Sequence, residues 1–345
     1  MILDPILDIF RGRAITIPPM DGAFRPNSAL DEIAVFADLP DADNLCRVGD
    51  RLLASSGSDL VELREDADPQ HLESFAAAIA ALAAGPDGTL AVALDDGSLT
   101  ENGTPVPLPK GVACITALAY GPDGALWLAN GSSRHPVSGW VADLMEKNAD
   151  GSVWRRMPGA GFEVMAKNLE WPFGLLPDAK GCLVSESWRH RLVRVEGGTV
   201  KPVLRHLPGY PARLAPCADG GAWLSIFAPR NRLIEMVLQE SHYRFDMMAS
   251  VPREFWIAPA LASGQSFLEP LQCGGIRTMG VHKAWSPSRS CGLAVRLAPD
   301  KTPAFSLHSR ANGKRHGTCS AIEYNGRALI ASRGGNCILA AEEMA

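Results

Sequence analysis

The side chains able to do chemistry in this chain are few and far apart: the pair Asp43-Asn44, then Thr116, Asn130, Glu186, Arg213, His316 and Ser320. Asp43, Asn44, Asn130 and Glu186 offer oxygens that could surround a reacting group, with Glu186 able to move a proton on a substrate. Arg213 brings a planar fork of donors that fits a carboxylate or a developing oxyanion. No local motif holds them. There is no Gly-x-Ser-x-Gly elbow, no glycine-rich phosphate loop and no Cys/His cluster at zinc spacing. Asp43 and Arg213 are 170 positions apart, so any site they share must be assembled by the fold.

A repeated phrase supplies that fold. Residues 81–94 read ALAAGPDGTLAVAL and residues 117–130 read ALAYGPDGALWLAN, which sets two Gly-Pro-Asp-Gly turns 36 residues apart. Weaker copies follow at Gly174-Leu-Leu-Pro-Asp-Ala-Lys-Gly, Leu214-Ala-Pro-Cys-Ala-Asp-Gly-Gly and Ala321-Ile-Glu-Tyr-Asn-Gly. A first copy, Asn44-Leu-Cys-Arg-Val-Gly-Asp, turns at Gly-Asp. Each reads as a hairpin, with the turn supplying positive φ between apolar strands. Some continue into a third strand, as at Ser185-Glu-Ser-Trp-Arg-His-Arg-Leu-Val-Arg-Val and Arg230-Asn-Arg-Leu-Ile-Glu-Met-Val. Six units of roughly 40–60 residues, none able to bury its apolar face alone, predict an all-β, six-bladed β-propeller occupying the chain as one domain. An irregular pair of sandwiches is the alternative.

In a propeller the innermost strands begin around the central axis. Aligning the copies by their small or apolar anchors places Asn44, Ala80, Thr116, Phe173, Arg213 and Ser320 in a ring predicted to line the channel. Asp43, Ile79, Ile115, Pro172, Ala212 and Cys319 precede them, and Asn130 and Glu186 stand at strand exits. Ala34-Val-Phe-Ala-Asp-Leu is expected to pair into the last blade and close the ring, which removes exposed sheet edges. About residues 230–289 interrupt the repeat with a partly helical stretch. It is either a cap over the channel mouth or a helix packed outside the ring. Gly131 to Leu169, with Trp140 and Trp154, reads as a smaller elaboration of the same kind.

Composition narrows the partners. A formal net charge of −5 without a basic stripe argues against nucleic acid. The most apolar window, Phe75 to Ala84, is too short for a membrane helix, which needs about 20 residues. The start, Met1-Ile-Leu-Asp-Pro-Ile-Leu-Asp, carries acid inside its apolar stretch and does not read as a signal peptide. Eight cysteines without a Cys-x-x-Cys pair suggest buried, reduced thiols and a cytoplasmic protein acting on a small molecule.

The run Ser185-Glu-Ser-Trp-Arg-His-Arg-Leu-Val-Arg-Val, then Leu207-Pro-Gly-Tyr-Pro, then Gly220-Gly-Ala-Trp-Leu, resembles the strictosidine-synthase-like branch of six-bladed propellers. Its wider superfamily holds SMP-30/gluconolactonases and paraoxonase-type lactonases. The likeness runs from about Asp43 onward. It implies an axial active site, often built on calcium, with lactone or ester hydrolysis the commonest activity. By resemblance Asp43, Asn44 and Asn130 match metal-ligand positions. Two others depart: the family's Pro-Asn-Gly is here Pro172-Phe173-Gly174, and its Pro-Asp-Asn is Pro211-Ala212-Arg213. Phe173 has no oxygen to give, and Arg213 puts a fixed positive charge where the ion would sit, at a cost of several kcal/mol in low dielectric. The usual calcium site is expected to be absent or rearranged.

Arg213 then either stands in for the metal or forms a structural ion pair with Asp43 or Glu186. Glu186, after the apolar Cys182-Leu-Val-Ser, is either a desolvated acid/base group or a partner of Arg189 or Arg191. His316 is the preferred histidine because it shortly precedes the Cys319-Ser320 strand start. Three functions remain open. The first is a lactone or ester hydrolase with Asp43, Glu186, Arg213 and His316 as catalytic candidates and Asn44, Thr116, Asn130, Phe173 and Ser320 around the substrate. The second is a metal-independent lyase or synthase resembling strictosidine synthase, with Glu186 as acid/base. The third is a propeller that only binds. The substrate is expected to be small, partly apolar and anionic.

Overall fold

The Gly-Pro-Asp-Gly phrases fold as tight turns. Gly88 and Gly124 take φ of +84° and +75°, and Asp87 and Asp123 accept the amides of Thr89 (3.0 Å) and Ala125 (3.1 Å) across them. A side chain with a β-carbon rarely adopts that backbone, so glycine closes these hairpins at least cost.

The computed structural model describes residues 17–264, 266, 268–269, 274–278, 281–286 and 288–342. The expectation for the Met1 segment lies outside them. Among the described residues the hairpins form the inner halves of six four-stranded antiparallel sheets. In chain order the two inner strands are Ala42–Val48 and Arg51–Ser56, Ile79–Ala84 and Leu90–Leu94, Ile115–Tyr120 and Leu126–Asn130. Pro172–Asp178 and Gly181–Glu186, Gly209–Pro216 and Ala222–Pro229, and Thr318–Tyr324 and Arg327–Ser332 complete the set. These are blades 1 to 6, and their innermost strands touch neighbour to neighbour, blade 6 against blade 1. Ala34–Asp38 pairs antiparallel with Cys337–Glu342 as the outer strand of blade 6 and closes the ring. The architecture is a six-bladed propeller, and the sandwich alternative is excluded.

Apolar layers between blades hold the ring. Ala81, Ala83, Ala91 and Ala93 of blade 2 leave room for Leu118, Leu126 and Leu128 of blade 3, all buried. Each such leucine contributes about 1.5–3 kcal/mol by leaving water.

Where each inner strand begins, the ladder skips a residue. Ala80, Thr116 and Phe173 are each the extra residue of a bulge. Asn44 and Leu45 face one residue of the neighbouring strand, as do Ala212 and Arg213. By that register Ala212, not Arg213, is the counterpart of Asn44. In blade 6 the extra residue is Cys319, while Ser320 pairs with Ala331. The ring drawn from sequence is therefore one residue late in blades 5 and 6.

The insertion lies between the second and third strands of blade 5. Arg230-Asn-Arg-Leu-Ile-Glu-Met-Val is not a third strand: Asn231 caps a helix, Arg232–Gln239, by accepting the Leu233 amide (2.9 Å). Ile234 and Val237, one turn apart, are its buried face. A second helix, Ser241–Ser250, follows. Val237, Met247, Trp256 and Ala258 join one apolar cluster with Phe173, Ala212 and Cys319, so the insertion covers the face where the inner strands begin. The smaller elaboration is shorter than expected. It holds the helix Trp140–Glu146, whereas Trp154 belongs to the third strand of blade 3, Gly151–Arg156.

Candidate functional site

Under the insertion, at the axis, lies a cavity of about 190 Å³. Three of the predicted site residues, Asp43, Phe173 and Arg213, meet there, beside Ile79, Ala80 and Cys319 from the predicted strand starts. Arg213 donates from Nη1 to Asp43 Oδ1 (2.7 Å) and from Nη2 to the carbonyls of Ala80 (2.7 Å) and Thr116 (3.4 Å). Its guanidinium carbon sits 4.9 Å from the centre of the Phe173 ring. Side chain or backbone from blades 1, 2, 3 and 4 thus holds one guanidinium from blade 5. Arg213 also lines the channel below, a space of about 390 Å³ that includes Ser320, and so forms the cavity floor.

Sequence reasoning missed two charged residues of the cavity. Arg333, just past the second strand of blade 6, brings Nη1 to 3.8 Å from Asp43 Oδ2. Asp95, just past the second strand of blade 2, accepts the Ser138 amide at Oδ1 (2.8 Å). Reading one residue beyond the strand exits that pointed to Asn130 and Glu186 would have found both. Aromatic walls complete the site: Trp140 meets Phe227 edge-on at 5.3 Å, and Phe173 meets Phe227 at 5.6 Å. Trp171, stacked on Trp188 at 5.1 Å, holds a left-handed φ of +55°, a conformation costing roughly 1–2 kcal/mol that its packing must offset.

The other candidates are turned elsewhere. Thr116 is fully buried, its hydroxyl donating to the Ala129 and Pro172 carbonyls, and only its own carbonyl reaches the site. Asn44 donates to Ser55 Oγ (3.0 Å) and the Ile79 carbonyl (3.3 Å), leaving its Oδ1 buried with no hydrogen bond among the described residues. Asn130 Oδ1 accepts the Ala113 and Cys114 amides. Ser320 Oγ accepts the Leu45 amide.

Glu186 is wholly buried, accepting Arg191 Nε (2.5 Å) and the Glu170 amide (2.9 Å), with Arg189 at 3.4 Å. It is the ion-pair partner of the two readings, since its carboxylate is closed off from the cavity. His316 is also buried: Nδ1 meets Ser290 Oγ and Nε2 meets the Arg310 carbonyl, both at 2.7 Å. Burial pushes its pKa below the usual histidine range. Cys319 lines the cavity, but burial raises its thiol to about 12, so it is no thiolate nucleophile near neutral pH.

The donor set does not fit calcium. A hard cation needs several free oxygens. Those of Asn130 and Glu186 already accept hydrogen bonds, and a guanidinium holds Asp43. No group of three or more His, Cys, Asp or Glu suited to a metal occurs among the described residues.

No protein-family model and no curated protein matches the chain. Solved structures do. A gluconolactonase from Xanthomonas campestris is 16% identical, covering 89% of this chain and 87% of that one, with a TM-score of 0.54. The calcium-binding protein regucalcin from Agrobacterium tumefaciens is 14% identical over 92% and 87%, at 0.51. A PQQ-bound aldose sugar dehydrogenase from Streptomyces coelicolor is 14% identical over 89% and 96%, at 0.52. What is shared at these identities is the propeller, and one propeller hosts unlike chemistries.

Proposed function

We propose that the chain is a small-molecule hydrolase of lactone or ester type that works without calcium in the cavity above Arg213. The observation that carries this reading is a fixed guanidinium at the propeller axis, inside an aromatic-walled cavity that a carboxylate, Asp95, also lines. The gluconolactonase among the similar structures supports the reaction class.

In this reading the acyl group lies over the positive floor. Asp95 takes a proton from water as the water oxygen bonds to the carbonyl carbon, and the oxyanion forms in the field of Arg213. Collapse breaks the acyl C–O bond, and the proton passes from Asp95 to the leaving oxygen. A lactone yields a hydroxy acid, an ester an acid and an alcohol. The free thiols suit a reducing compartment such as the cytoplasm.

The finer resemblance to the strictosidine-synthase-like branch would make the chain a metal-independent lyase using Glu186, and the burial of Glu186 under Arg191 weighs against it. A purely binding role has one observation in its favour: Asp43 is tied to Arg213, which leaves Asp95 as the carboxylate available for proton transfer in the cavity. Turnover of five- and six-membered lactones and aryl esters, measured in EDTA and in calcium, separates these readings. We expect equal rates in both and a loss of at least about 100-fold in Asp95→Asn, the usual scale of general-base catalysis. Dependence on calcium refutes the proposal, and ligand stabilisation without turnover selects binding.

A further inference from the structure

The two arginines of the cavity are bonded very differently. Arg213 is committed to Asp43 and two backbone carbonyls and keeps 13% of its side chain exposed. Arg333 keeps 35%. Its Nη1 stands 3.8 Å from Asp43, and its buried Nε lies 3.5 Å from Asp41 with no hydrogen-bond partner among the described residues. Its 35% exposure leaves the remaining donors to water, which the acceptor of a ligand would replace without stranding the charge.

The backbone fixes where Arg333 stands. Its amide donates to the Gly317 carbonyl (3.0 Å), and the Gly334 amide donates to the His316 carbonyl (3.1 Å). A β-carbon on Gly334 would lie 1.9 Å from the Leu261 carbonyl oxygen, so only glycine admits this approach of the insertion. Leu261 itself lines the cavity. The insertion thus clamps the turn that carries Arg333 to the cavity rim, a positioning that does not depend on the side chain.

Charge leaves Arg333 the less neutralised of the two guanidiniums: it shares Asp43 with Arg213, and its second carboxylate, Asp41, stands 3.5 Å away and is 62% exposed to water, which screens the pair. Space sets the size: about 190 Å³ is below the roughly 300–1,000 Å³ of sites for drug-sized ligands.

Building on the hydrolase reading, we propose that Arg333 is the specificity-determining residue of this cavity: it docks a carboxylate carried by a compact, single-ring substrate whose apolar part lies against Trp140 and Phe227. The substrate class is then a small lactone or ester acid rather than a neutral sugar lactone.

Calorimetric binding tests this without requiring turnover. The probes are benzoate and a five-membered lactone carboxylate, each compared with its primary carboxamide, on the full chain and on Arg333→Gln and Arg333→Lys. The carboxylates should bind about 10- to 100-fold more tightly than the amides, the scale of hydrogen bonds to a charged group. That preference should vanish in Arg333→Gln and partly survive in Arg333→Lys, with melting temperatures near wild type. Equal binding of acid and amide, a preference unchanged in Arg333→Gln, or no carboxylate binding overturns the proposal. Arg333-dependent binding without hydrolysis would refute the hydrolase reading alone, and hydrolysis of the lactone carboxylate unaffected by Arg333→Gln would refute this inference alone.

Discussion

Replacing Arg213 by Met probes the axis directly. The substitution deletes the 2.7 Å bond to Asp43 and the donors to the Ala80 and Thr116 carbonyls, while a methionine still covers Phe173. Asp43 would keep the Asn44 amide (2.7 Å) and Arg333 at 3.8 Å, inside a residue only 4% exposed. Removing one partner of a buried pair costs about 3–5 kcal/mol because the other charge stays behind. Taking about 4 kcal/mol, and an unfolding entropy of about 2.1 cal/mol/K per residue scaled over the chain, the melting temperature should fall by about 5–6 °C. Asp43→Asn should cost about 3 kcal/mol by stranding Arg213. The double variant should cost about 4 kcal/mol rather than the sum, a coupling of about 3 kcal/mol. Urea unfolding followed by tryptophan fluorescence measures all three. Additivity within about 0.5 kcal/mol would refute the claim that these residues form one buried unit.

Two further outcomes follow from groups outside the cavity. Glu186→Gln weakens the pairing with Arg191 and Arg189, so stability should drop by about 3 kcal/mol while kcat on any lactone substrate is unchanged; a 100-fold fall in kcat at an unaltered melting temperature would return Glu186 to the chemistry. Burial would raise the pKa of Glu235, but hydrogen bonds from His190 and Arg230 hold it down, at about 2, against an unfolded value of about 4.3. Its stabilisation of the first insertion helix is therefore complete above about pH 5 and fades as the pH falls toward 2, by at most about 3 kcal/mol. Hydrogen exchange of Arg232–Ser250 should rise across that window in the wild type and lose this dependence in Glu235→Gln; an unchanged profile would break the assignment.

The fold was readable because each blade announces itself locally: Asp-Gly or Asn-Gly closes the turn in four blades, Gly49-Asp50 and Asp178-Ala-Lys-Gly181 close it in the other two, and apolar runs set the flanking strands. The bulges carry no such mark, so alignment of the repeats favours Ser320 over Cys319 and sets Arg213 one step late. Asp95 and Arg333 sit one residue past strand exits, a position held by Gly57, Gly131, Ser187 and Arg230 in the other blades, so the repeat prescribes no charge there and alignment passes over them. For Glu186 the preceding apolar strand foretold burial but not which arginine would neutralise it. Phe173 and Arg213 were legible as departures from the metal-bearing pattern, each a loss when considered alone. At 4.9 Å they complement each other: the ring that cannot ligate an ion offers its face to the guanidinium. Phe173 without Arg213 would leave Asp43 only the Asn44 amide and Arg333 at 3.8 Å, above an apolar floor, and Arg213 without Phe173 would lose the surface it lies on. The two residues thus act as one unit, which holds a fixed positive charge at the axis within the chain itself.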